Sequence, residues 1–314
     1  MSASREILTR EVAEKLRLEA ILKPGIRKIF ARVVDDFRVS VARTGQPPEI
    51  ARYRIAFETL LDEHYRRVQK SFSGAILLHN KVDSFAQLRT KAARPTEEDQ
   101  HDKELIAAIF LLWREKHAPE QADFIAQTTA KDMADAIDQG RQALTEEGKP
   151  IDKRSLAAVA AVILRRILRV RVDVIAVTET QTAAETTKAV EASVVTKTPI
   201  PGIPVPPGAF PPIIQPPRPP FTPTIPAQPD IPLEPLGPQA PTAPPPAPGT
   251  LKKSWITLRD KRVRATHHAA HGQTRLINEA FAVGSSSMMY PGDTSLGAPI
   301  REIIHCRCSA QYLF

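Results

Sequence analysis

Between Pro199 and Pro248 lie 22 of the chain's 30 prolines, and no ordinary domain can be built across such a stretch. Each proline removes a backbone donor and fixes φ, so neither helices nor internal strands survive at this density. The natural state is extended polyproline II, at about 3.1 Å per residue, with a reach of up to roughly 150 Å. The chain therefore divides into residues 1–198, a proline-rich extended linker over 199–250, and a tail over 251–314. Phe210, Ile213, Ile214, Phe221 and Ile231 are apolar enough to grip a groove. PxxP spacings occur too, as they do in any proline-rich linker. The expectation is that proteases cut this linker first and release a helical piece and a separate tail.

Formal net charge is +8, and it is uneven. The tail carries nine Lys or Arg against four Asp or Glu, while residues 1–198 carry 33 against 29. The tail is thus the part that best suits an acidic partner, nucleic acid included. The N-terminus, MSASREILTREV, has no apolar signal core. The apolar run Leu156–Val177 is broken by Arg165, Arg166, Arg169, Arg171 and Asp173, charges too costly for an unaided membrane helix. The chain reads as soluble, made in a cytoplasm and with no membrane partner. Its two cysteines, Cys306 and Cys308, are one residue apart, so a mutual disulfide would be strained and a reducing compartment fits.

Residues 1–198 read as a mainly α region. A first helix is expected to end at Pro24-Gly25, a second to run from Ile26 to about Val41, and a third from Glu49 to about Leu78. Thr96 is a plausible cap before Glu97 and Glu98, with a loop or weak helix before it. Glu104–Glu115 is short and apolar, and Pro119 sits where another helix should begin. The clearest helix starts near Asp152, with Leu156, Val159, Ile163, Ile167, Val170 and Val174 as a stripe at steps of three and four. The tail reads as a small α+β module. A strand is expected at Ile256–Leu258, a helix over Arg264–His271 stopped by Gly272, a turn at Pro291-Gly292-Asp293 and a closing strand over Ile300–Ile304. So short a module has few hydrophobic residues and invites a staple.

The tail's motifs are more specific than its composition. Lys253-Ser254-Trp255 is followed by Asp260, Arg262 and Arg264; His267 and Gly272 follow in turn. Then come Pro291-Gly292-Asp293 and the run Glu302 through Arg307 and Cys308. Upstream stands Ile175-Ala176-Val177-Thr178-Glu179-Thr180. In order and spacing these segments resemble the phage Mu F-like minor head (head morphogenesis) family. His305 stands where members commonly have Asn, His271 stands where Asp often precedes the Gly, and the proline segment replaces a short connection. The resemblance covers about 60 residues of the tail and about 20 upstream. It implies a structural, non-enzymatic minor capsid protein, bound to the portal protein and to capsid or scaffold proteins. It also implies retention inside the virion and a part in head assembly and DNA packaging or delivery. The helices would supply the partner surface, and the proline segment a tether.

Chemistry, if any, sits in the tail's cysteines and histidines. Two thiolates and an imidazole suit zinc, so His267, Cys306 and Cys308 form a candidate structural site, with His271, His305 or Asp293 as a fourth ligand. A lone C-x-C is less diagnostic than paired knuckles, and the alternative is two buried thiols beside a hydrogen-bonded histidine. The run His267-His268-Ala269-Ala270-His271 lacks the glutamate of H-E-x-x-H. A metal-dependent nuclease using His267 with Asp293 or Asp260 is the competing enzymatic reading, without the paired carboxylates such chemistry wants. Arg264 and Arg307 are expected to pair with Asp260, Asp293 or Glu302 in a charge lattice. Thr178 and Glu179 read equally well as a solvated helix face.

Overall fold

Leu18, Leu22, Ile26, Phe30, Val33, Phe37 and Val41 form one unbroken apolar stripe, and all are buried on a single helix, α1 (Ala3–Thr44). The computed structural model describes residues 3–73, 97–210, 251–261 and 263–313. Pro24 lies inside α1, so the expected break there does not occur. An interior proline costs about 3 kcal/mol. Burial of seven large side chains on both sides of it, at about 1.5–3 kcal/mol each, outweighs that. Gly25 serves packing instead: a Cβ there would lie 2.5 Å from Leu60 Cδ1 of α2 (Ala51–Phe72). Pro119 likewise falls within α3 (Glu97–Glu146) and does not start a helix. The cap expected at Thr96 and the end of the third helix near Leu78 lie outside the described residues.

The fourth helix, α4 (Lys153–Thr196), is packed by α1, α2 and α3. Asp152 caps its start, its carboxylate accepting from the amides of Arg154 and Ser155 at 2.8 and 3.0 Å. Its core-facing stripe is Leu156, Ala160, Leu164, Leu168, Val172 and Ile175, rotated by about one residue from the expected one. Val170 is 65% exposed, and Val159 and Ile163 only flank the core. Alanines cause the rotation: Gly140 of α3 lies so close that a Cβ would sit 3.3 Å from Ala160 Cβ. Two neighbouring helices approach through small residues, and larger ones are pushed to the sides.

From Ile175 to Val194 every residue of α4 is buried, although more than half are polar. On one side the bundle satisfies them: Tyr65 O–H donates to Glu179 at 2.5 Å, and His64 Nε2 meets Thr180 Oγ1 at 2.9 Å. Burial holds His64 far below its ordinary 6.5, at about 3, helped by the charge of Arg67. The unfolded chain therefore takes up a proton that the folded chain refuses. Stability tied to His64 is complete above pH 6.5 and is lost as pH falls towards 3. Urea midpoints of wild type and His64→Gln, compared at pH 7.5 and 4.5, are expected to show the smaller acid loss in the variant. An equal loss in both would remove His64 from the account.

The tail covers the other side of α4. It comprises β1 (Lys252–Ile256), α5 (Ala265–Ala270), β2 (Thr274–Leu276), β3 (Phe281–Val283), β4 (Ser286–Met288), α6 (Ile300–Ile303) and β5 (Ser309–Leu313). Antiparallel strands in the order β2-β1-β5 form one sheet, with Trp255 opposite Ala310, and β3-β4 form a hairpin. The first strand begins earlier than expected, and Ile300–Ile303 is a helical turn, not the closing strand. That strand follows Cys308, as Ser309–Leu313, with Ala310 and Tyr312 in the core. Ile200 and Ile203, at the start of the proline-rich segment, are buried in a second core. The same core holds Ile106 and Ile109 of α3, Val190 and Val194 of α4, and Met289, Tyr290 and Tyr312 of the tail. The remainder of the expected linker, 211–250, lies outside the described residues.

Candidate metal centre and the seam that holds it

The open edge of β5 is closed by side chains and not by another strand. Gln181, Glu185 and Lys188 stand on one face of α4 at steps of four and three. Gln181 donates to Cys308 O at 2.5 Å, Glu185 accepts from Ala310 N at 2.9 Å, and Lys188 donates to Ala310 O at 3.2 Å. The helix thus supplies the bonds a neighbouring strand would make, which explains the burial of so many polar residues. Glu185 and Lys188 also close a ring of alternating charge with Glu11 and Lys15 of α1, its four contacts 2.6, 2.7, 2.9 and 2.9 Å long. Burial opposes ionisation of Glu11, yet Lys15 and Lys188 hold its carboxyl well below the usual range. Lys15 is likewise held above its ordinary value against burial, by Glu11 and Glu185.

Beyond this seam lies the tail's own core of Trp255, Phe281, Val283, Met288, Ile303, Cys306 and Cys308. The turn of α5 presents His267 edge-on to the Trp255 ring, centroids 5.5 Å apart. His267 Nδ1 lies 3.3 Å from Cys308 Sγ and 3.6 Å from Cys306 Sγ, and its Nε2 donates to Glu302 at 3.1 Å. These three side chains are the one group among the described residues with three or more His, Cys, Asp or Glu ligand atoms together, all within 4.8 Å of one another. All three are buried. Cys308 donates to Cys306, and that bond, against the effect of burial and with help from His267, brings the Cys306 thiol down to about 5. The same bond, with burial and the Cys306 charge, pushes Cys308 up. Burial works against a charged His267, but the bond and charge of Cys306 carry it above its ordinary value.

The geometry suits a metal ion. Tetrahedral zinc with bonds of about 2.3 Å to sulfur and 2.05 Å to nitrogen places those donors about 3.6 Å apart. The observed 3.3 and 3.6 Å need almost no adjustment. Glu302 holds a proton of His267 on Nε2, so release of the other proton on metal binding would leave the Nδ1 lone pair facing the thiols, as with a carboxylate behind a ligand histidine. The buried indole N–H of Trp255 favours an ionised Cys308. The same atoms also spell nucleophile, base and orienting acid. However, Cys306 and Cys308 are 2% and 1% exposed, and the adjoining cavity is about 10 Å³, room for a single water. A thiol that no substrate reaches is better placed as a ligand.

The other sequence candidates are placed as follows. Asp293 is a turn residue, its carboxylate accepting from the amides of Met289 and Ser295, both at 2.8 Å. Gly292 before it has φ +88, and a Cβ there would sit 3.2 Å from Thr182 Oγ1, so Pro291-Gly292-Asp293 abuts α4. Gly272 has φ +80 and donates to Trp255 O at 2.8 Å, closing the turn after α5. Arg264 donates to Ile304 O, which holds the loop before Cys306. Thr178 Oγ1 accepts from His305 N at 3.4 Å. Arg307 is half-buried between two small cavities, its charge acting on Glu19. Asp260 is exposed at the rim of the 10 Å³ cavity. His271 stands outside the triad, its Nδ1 accepting from Thr257 N at 3.0 Å. Of the proposed fourth ligands, Asp293 and His271 are therefore committed elsewhere.

Glu302 is expected as a motif residue and as a partner for Arg264 or Arg307, whereas its carboxylate bonds His267 and Thr266. The ring of Glu11, Lys15, Glu185 and Lys188 was missed altogether. Its signal is the Q-x-x-x-E-x-x-K spacing of residues 181–188, visible only once β5 is known to need an edge partner. Among the described residues no helix is long and apolar enough to cross a membrane. Comparison with protein-family models, with curated proteins and with solved structures finds no match for this chain.

Proposed function

We propose that the chain is a structural minor head protein of a tailed bacteriophage, associated with the portal, whose tail module is held by a zinc ion on His267, Cys306 and Cys308. One observation carries this reading. The segments that resemble the Mu F-like family are far apart in sequence but meet in space. Thr178 of the upstream segment holds the loop before Cys306, Gly292 of the P-G-D turn packs on Thr182, and Trp255, His267, Glu302, Cys306 and Cys308 form one centre. A set of motifs that builds a single seam is one structural unit, and such a unit serves assembly. The donor set of two sulfurs and one imidazole nitrogen favours zinc over harder cations. Packaged DNA and the portal protein are the partners this reading implies, with the virion interior as its place.

Mass spectrometry of purified virions tests the assignment. The chain is expected in the particles at a few copies each, and it is expected to co-purify with the cognate portal protein when the two are co-expressed. Its absence from virions, together with failure to bind the portal protein, contradicts the assignment whatever the metal content.

A further inference from the structure

Three protein ligands leave one position on a tetrahedral ion, and the surroundings of the triad say what fills it. Asp293 is held by two backbone amides, and His271 faces Thr257. Glu302 is bound to His267 Nε2 and to Thr266 Oγ1, behind the imidazole and away from its Nδ1. What adjoins the thiols instead is the water-sized cavity of about 10 Å³. Its walls include Arg264 and Arg307, and its rim includes Asp260 and His305, both exposed, so it opens to solvent. A metal with two thiolates and a neutral imidazole is charge-neutral, so an anion at the fourth position is not repelled. Arg264 and Arg307 both line the cavity, and their positive charges favour one.

We infer that the metal on His267, Cys306 and Cys308 has an exchangeable fourth position, which takes water or a small anion between Arg264 and Arg307. This rests on the metal reading above. Exchange moves no protein group: a bound water leaves into the cavity mouth and one anionic donor atom replaces it. The cavity holds one water-sized donor beside the ion and opens to solvent beyond it, so a short linear anion fits and a bulky ligand does not. Closed structural sites hold four protein ligands, whereas three ligands and an open position define a centre that polarises what it binds.

Cobalt(II) is the probe, added to the intact chain, with azide as the anion. A near-ultraviolet thiolate-to-cobalt band should appear at one equivalent, and azide should then shift the visible ligand-field bands. His305→Ala and Asp260→Asn should leave both responses in place, because neither residue is a ligand. Arg307→Gln should keep the cobalt spectrum but weaken azide binding by about tenfold, the loss of one hydrogen bond to a charged group. Visible bands that ignore azide, or that change in His305→Ala or Asp260→Asn without azide, mean that a protein ligand closes the site, and the inference fails while the metal reading stands. Absence of the thiolate band removes the metal reading itself.

Discussion

Replacing Glu185 by alanine is expected to destabilise the protein by about 3–5 kcal/mol, the cost of leaving buried charge uncompensated. Glu185 is fully buried between Lys15 and Lys188, and it also accepts the Ala310 amide. Without it, two ammonium groups share Glu11 alone, and β5 loses one of the bonds that close its edge. Lys188→Ala should cost a similar amount, since it leaves Glu185 with Lys15 only and frees Ala310 O, while Ser309 Oγ keeps its bond to Glu11. The double variant should cost clearly less than the sum, because each change has already broken the contact the other removes. Urea denaturation followed by circular dichroism reads all three. Strict additivity, or a loss under about 1 kcal/mol for Glu185→Ala, would mean that the ring is as weak as an exposed ion pair.

Removal of the metal should have the other large effect. Zinc bound by a preformed site contributes several kcal/mol to folding, so EDTA is expected to lower the melting temperature of the tail's transition and to expose both thiols to reagent. Cys306→Ser and Cys308→Ser should abolish binding. Glu302→Gln should weaken it by about 10–100-fold, since it loosens the histidine without removing a ligand. Elemental analysis of the full chain, purified without chelator, should find close to one equivalent of zinc. Less than about a tenth of an equivalent, with no change in melting on EDTA, would show that the thiols stand without metal.

What was legible in the sequence follows from which signals are local. The mainly helical character of residues 1–198 and the small α+β tail are both present, because apolar periodicity and breaker residues are local. The triad His267, Cys306 and Cys308 was also readable, since few chemistries use two thiols and an imidazole in so short a module. Pro24 and Pro119 misled because a local breaker cannot report the tertiary burial that overrides it. The α4 stripe was misplaced because large residues were weighted over Ala157, Ala160 and Ala161, where helices come closest. Ile300–Ile303 looked like a strand because four residues carry no period. Most of all, Thr178–Glu191 looks like a solvated face by composition. Its burial depends on β5, more than a hundred residues away, and on the amphipathic start of α1.

That shared seam is the centre of the account: the tail and the helices hold together through α4, whatever joins them covalently. The direct test is to insert a specific protease site within residues 211–250, cleave to completion, and run the product on size exclusion at low and high salt. The account predicts that both pieces elute together at the size of the intact chain, and that Glu185→Ala releases the tail. Separation of folded wild-type pieces after cleavage would contradict it, and would make the tail a tethered module of its own.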